Sequence, residues 1–113
     1  MNPETTKYDW LADSLTARVE LGIKYLNIRR PGWYNNVVLS SLDMGDTYDC
    51  VLGQLFGEFW TFLASVAWKE RHAAELGFSV TYDELTELYR GNWSVFGILT
   101  DIWRNKIEEL QDN

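Results

Sequence analysis

Cys50-Val51-Leu52-Gly53-Gln54-Leu55-Phe56-Gly57-Glu58-Phe59-Trp60-Thr61-Phe62-Leu63-Ala64-Ser65-Val66-Ala67 is the most apolar stretch of the chain, and its periodicity decides the fold class. At about 100° per residue, Val51, Leu52, Leu55, Phe56, Phe59, Leu63 and Val66 fall within an arc about 140° wide. That arc predicts one apolar helix over about 47–67. Gly53, Gly57 and Ala64 add a strip of small residues where another backbone approaches, as expected of a helix central to its bundle. Gln54, Glu58, Thr61 and Ser65 make a wet side. They also disqualify the stretch as a membrane span, which needs about 20 apolar residues.

Downstream, the same phase would bury Lys69 and Glu70, so a break is expected near Trp68. A short polar helix follows to Leu76 and stops at Gly77. Thr81-Tyr82-Asp83-Glu84 has the form of a capping box, with Thr81 capping and Glu84 reaching back. Leu85, Leu88, Tyr89, Phe96, Leu99, Trp103 and Ile107 stay in phase, which predicts one long helix to about Leu110, straight or kinked at the Gly91-Asn92 stop signal.

Upstream, Leu11, Leu15, Val19, Gly22, Ile23 and Leu26 share one face of a helix over about 8–26. Asn27 through Pro31-Gly32 ends it. Residues 28–46 read as a packed irregular loop pinned by Trp33, Leu39 and Leu42, with a helical turn after Pro31 and an extended piece at 36–39. Residues 1–7 are polar and expected to fray. The expected fold is all-α, a compact single domain over 1–113 with three to five helices around the 47–67 helix.

Composition excludes several functions. Ten Lys plus Arg stand against 17 Asp plus Glu, a net charge of −7. Nucleic-acid binding needs a basic face to release counterions, so no direct nucleic-acid contact is expected. The single Cys50 forms no internal disulfide, and the chain opens without a basic-then-apolar leader, so a cytoplasmic location is expected. Cys50 and His72 are too few strong donors for zinc. Asp43-x-x-Asp46-x-x-Asp49 lacks the spacing of a calcium loop and reads as helix capping. Cys50 with His72 is the one conceivable nucleophile–base pair, and a buried structural thiol explains Cys50 better. Neither enzyme activity, nor a metal, nor a cofactor is expected.

Two features point to a protein partner. Trp10, Leu21 and Tyr25 lie on the first helix about 100° or more from its core face, and aromatic residues anchor interfaces. Arg29-Arg30-Pro31-Gly32-Trp33 puts two guanidinium forks beside an aromatic ring, a pattern that grips carboxylate or phosphate. In the plainer reading the loop covers the first group, the arginines pair with nearby carboxylates and Trp33 plugs the core.

Arg30-Pro31-Gly32-Trp33, Leu42-Asp43-Met44, Cys50-Val51-Leu52-Gly53-Gln54-Leu55-Phe56-Gly57, Glu75-Leu76-Gly77-Phe78 and Leu99-Thr100…Trp103…Ile107 together resemble a group of small uncharacterised proteins of actinobacteria and their phages. The likeness spans about residues 18–110, and the 81–98 stretch is longer than in that group. It implies a phage or prophage setting and no functional residue. The expected function is an acidic accessory protein that binds and modulates a host protein, or itself, in the bacterial cytoplasm. The alternative is an acidic nucleic-acid mimic that blocks a DNA-binding enzyme.

Overall fold

A computed structural model describes residues 3–88 and 95–112. Among the described residues the elements are α1 (Pro3–Arg29), 3₁₀ turns at Trp33–Asn36 and Leu39–Ser41, α2 (Val51–Phe56), α3 (Phe59–Ser65), α4 (Glu70–Glu75), α5 (Tyr82–Leu88) and α6 (Val95–Gln111). No strand is present among them. The all-α class therefore holds, with six helices rather than three to five.

The spine is α1 with α6, not the 50–67 stretch. Leu11, Leu15, Val19, Gly22 and Leu26 are buried on α1, and Val95, Leu99, Trp103 and Ile107 on α6, the two helices packed along one another. Pro3 opens α1, a position where its missing N–H costs nothing, so the helix starts inside the stretch expected to fray. It runs to Arg29 and is followed by Gly32 in the left-handed region at φ 79°.

The 47–67 stretch is two short helices. Residues 44–49 form turns, and Cys50 caps α2 by accepting the Gly53 N–H on Sγ. Gly57 ends α2 at φ 105°, and Glu58 caps α3 by accepting the Trp60 and Thr61 N–H groups. A carboxylate at a helix start is favoured by the dipole as well as by these bonds. The apolar phase survives the break because Phe56 and Phe62 stack across it, 4.4 Å apart.

The small-residue strip is corrected too. Gly53 does meet backbone, since a Cβ there would overlap the Thr47 carbonyl oxygen, but Gly57 faces open space and Ala64 is exposed. The closest helix approach lies elsewhere. A Cβ at Gly22 would overlap the Leu76 carbonyl oxygen, and one at Gly77 would stand 2.6 Å from Val19 N. Trp103 Nε1 donates to Gly77 O at 2.6 Å, and Phe78 stacks on Trp103 at 5.4 Å.

Other local expectations hold. Ala67 turns the chain at φ 56° before α4, which Gly77 terminates at φ 75°. Thr81 N donates to Glu84 Oε1 at 2.8 Å and Glu84 N to Thr81 Oγ1 at 3.2 Å, closing the capping box. The 28–46 loop is pinned by buried Trp33 and Leu42, with Leu39 half-buried. Val37 and Val38 are extended, and the Gln54 amide bonds both the N–H and the C=O of Val38.

α5 and α6 are not one straight helix. They pack against each other, whereas residues seven apart along one helix stand about 10.5 Å apart. Tyr89 and the Gly91-Asn92 signal lie outside the described residues.

Candidate functional site

The residues singled out on the first helix separate. Trp10 is 69% exposed and Leu21 49%. Tyr25 is half-buried, its ring 4.9 Å from Trp68 and 6.4 Å from Phe78, so these two rings help cover it. Ile28, 85% exposed, was not singled out. It lies 18 residues after Trp10, about five full turns, so the helical wheel puts both on one line.

The Arg29-Arg30-Pro31-Gly32-Trp33 stretch packs its tryptophan into the core and lays its two arginines over neighbouring rings. Trp33 is wholly buried, donates Nε1–H to Asn27 Oδ1 at 2.9 Å and meets Trp103 edge-on at 6.0 Å. The Arg29 guanidinium sits 5.5 Å from the Phe56 ring and 5.3 Å from the Phe62 ring. Arg30 lies 5.8 Å from Phe56 and donates to the Leu55 carbonyl. The arginines thus cover the α2–α3 aromatics by cation–π contact; among the described residues neither is paired with a carboxylate, and Trp33 is buried in the core.

A cavity of about 150 Å³ opens between the 44–50 turns, α3, the start of α4 and α6. Met44, Cys50, Phe59, Phe78 and Ser79 are its buried lining, and Trp60 is its exposed aromatic, with Asp46 and Glu70 also exposed. Asp46 Oδ1 accepts the Tyr48 and Asp49 N–H groups, and those bonds hold its carboxyl below the usual range. Ser79 Oγ donates to Glu70 Oε1 at 3.5 Å. Tyr48, next along the turn from the lining residue Thr47, is 65% exposed, and Trp60 is 52% exposed. A second depression of about 300 Å³ shares Glu70 and adds exposed Tyr82 and Leu85. The sequence hid this surface because Trp60 reads as one more member of an apolar helix.

Burial pushes the Cys50 thiol up to about 11, and bonding to the Gly53 N–H only partly offsets it. His72 is turned to another task, its Nδ1 accepting the Lys69 N–H at 3.1 Å at the start of α4. Asp43 and Asp46 are spent on turn N–H groups, and among the described residues no cluster of three or more His, Cys, Asp or Glu is arranged to hold a metal ion. Among the same residues no helix is long and apolar enough to cross a membrane. In comparisons with known proteins, the chain matches no family model, no curated protein and no solved structure.

Proposed function

We propose that this chain is a small acidic, non-enzymatic accessory protein of the phage type that binds a host protein in the bacterial cytoplasm and occludes it. The observation that carries this reading is the surface around Trp60. Two exposed aromatics, Tyr48 and Trp60, flank a cavity with Asp46 and Glu70 among its lining, on a chain of net charge −7. Aromatics supply binding energy when desolvated, and a fixed negative rim selects a basic partner and speeds its approach. A Lys or Arg side chain from that partner fits such a lining, its stem on the rings and its head at the carboxylates.

The test is affinity capture from actinobacterial lysate with the natural chain and a Tyr48→Ala, Trp60→Ala double variant, both checked for fold by circular dichroism. Loss of a specific captured protein on the double substitution is the expected result. Undiminished capture by a folded variant refutes the assignment of this surface. Capture of a DNA-binding enzyme that salt releases and the aromatic substitutions leave alone selects the alternative, nucleic-acid mimicry.

A further inference from the structure

Helix α1 carries apolar side chains on both of its sides, and only one side is covered. Trp10, Ser14, Ala17, Leu21, Lys24 and Ile28 follow a 4-3-4-3-4 spacing, which at about 100° per residue keeps all six within an arc of about 80°. That arc lies opposite Leu15, Val19 and Leu26, which face the core. Trp10, Ala17, Leu21, Lys24 and Ile28 are exposed, and no α1 residue lines either depression near Glu70. The seam is about 27 Å long.

We propose that this seam pairs with the same seam of a second copy of the chain, antiparallel, about a two-fold axis level with Val19. Size complementarity supports that register. Trp10 meets Ile28 of the other copy, small Ala17 meets Leu21, and Ser14 leaves room for Lys24. Charge decides the direction. Asp13 and Lys24 flank the seam on the same side, at about −60° and −40° from Trp10. An antiparallel two-fold keeps that side shared, so Asp13 of each copy comes level with Lys24 of the other. A parallel pair would instead set Lys24 level with Lys24, with no Asp13 in reach of it. Glu20 also lies on the Asp13 side, but Lys106 already neutralises it at 3.4 Å. The exposed parts of Trp10, Leu21 and Ile28 amount to roughly 400 Å² per copy. With the seam's polar flanks that reaches the low end of stable interfaces, which bury about 1,200 Å² in total. The pairing does not depend on the surface around Trp60.

Analytical ultracentrifugation of the full chain from 1 to 300 μM tests it. A reversible monomer–dimer equilibrium in that range is expected, and a monomer throughout overturns the proposal. Leu21→Glu, on a half-exposed position, should abolish the dimer with an unchanged circular dichroism spectrum. A dimer that persists in this variant places the interface elsewhere and overturns the proposal. Lys24→Glu and Asp13→Lys should each weaken the dimer about fivefold, and the two together should restore it to within about twofold of the natural chain. Additive weakening in the combined variant overturns the antiparallel register. Trp60→Ala should dimerise as the natural chain does, which separates a failure here from a failure of host binding.

Discussion

Replacing Gly22 with Ala sets helix propensity against packing, and the structure says which wins. In an exposed helix this change stabilises by about 0.8–1.0 kcal/mol, because Gly has more backbone freedom to lose. Gly22 is buried, and its new Cβ would overlap the Leu76 carbonyl oxygen while standing 3.2 Å from both Phe78 and Trp103. The carbonyl sits in the turn closed by Gly77, whose own backbone lies hard against α1 and is held by Trp103 Nε1 at 2.6 Å. Relief therefore means moving the turn away from α1. Overpacking of this kind costs about 1–3 kcal/mol, and weakening the Trp103 bond adds about 1 kcal/mol. Set against the propensity gain, the net destabilisation is about 1–3 kcal/mol. For a chain of this size that lowers Tm by about 4–12 °C. Thermal and urea unfolding followed by far-ultraviolet circular dichroism measures it, with an unchanged urea m-value expected. A Tm equal to or above that of the natural chain would refute the close α1–Gly77 approach, on which the placement of α4 rests.

Glu84 is held below its ordinary value of 4.5: burial opposes ionisation, but the Arg18 guanidinium at 3.0 Å and the Thr81 N–H and hydroxyl outweigh it. A depressed folded value means the contribution is full above about pH 4.5 and is lost over the acid range below it, as pH falls through the lower folded value. Glu84→Gln should therefore show a steady deficit in Tm above that pH and converge with the natural chain below it; parallel curves would argue that the ion pair contributes nothing. At pH 8, a thiol held at about 11 rather than 9.0 should be labelled about two orders of magnitude more slowly in native protein than in urea. Equal rates would show Cys50 to be open. Gly57 has nothing within 4 Å of its added Cβ, so Gly57→Ala and Gly57→Leu should destabilise about equally, by about 1–2 kcal/mol of left-handed backbone strain. A much larger cost for Leu would restore the crowded helix-packing role that the residue spacing suggests.

The candidate site was only partly legible in the order of residues. Trp10 and Leu21 read as an uncovered stripe on α1 and are uncovered, and Ile28 was within reach of the same wheel. Tyr25, at about 60° from Trp10, sits where α1 meets Trp68, and no periodicity on α1 reports what stands beside it. Arg29 and Arg30 carry the chemistry of an anion grip, yet their guanidinium groups lie over Phe56 and Phe62, residues more than twenty positions away. The surface around Trp60 is assembled from five separate segments, so no one of them announces it.

What the sequence determined by itself was local. The all-α class, the buried face of α1, the turn at Gly77 and the Thr81–Glu84 capping box depend on side chains three or four positions apart, and that spacing is written in the order of residues. The tertiary structure decided the rest. Apolar phase runs unbroken through Gly57, so only the observed backbone, with Glu58 capping a new helix, shows two helices where one was expected. Likewise α1 and α6 became the spine because Trp33, Phe78 and Trp103 pack together with Gly22 against the Leu76 carbonyl and Gly77 against Val19, contacts between segments far apart along the chain. A helical wheel states which side chains need cover; only the packed chain states which neighbour supplies it.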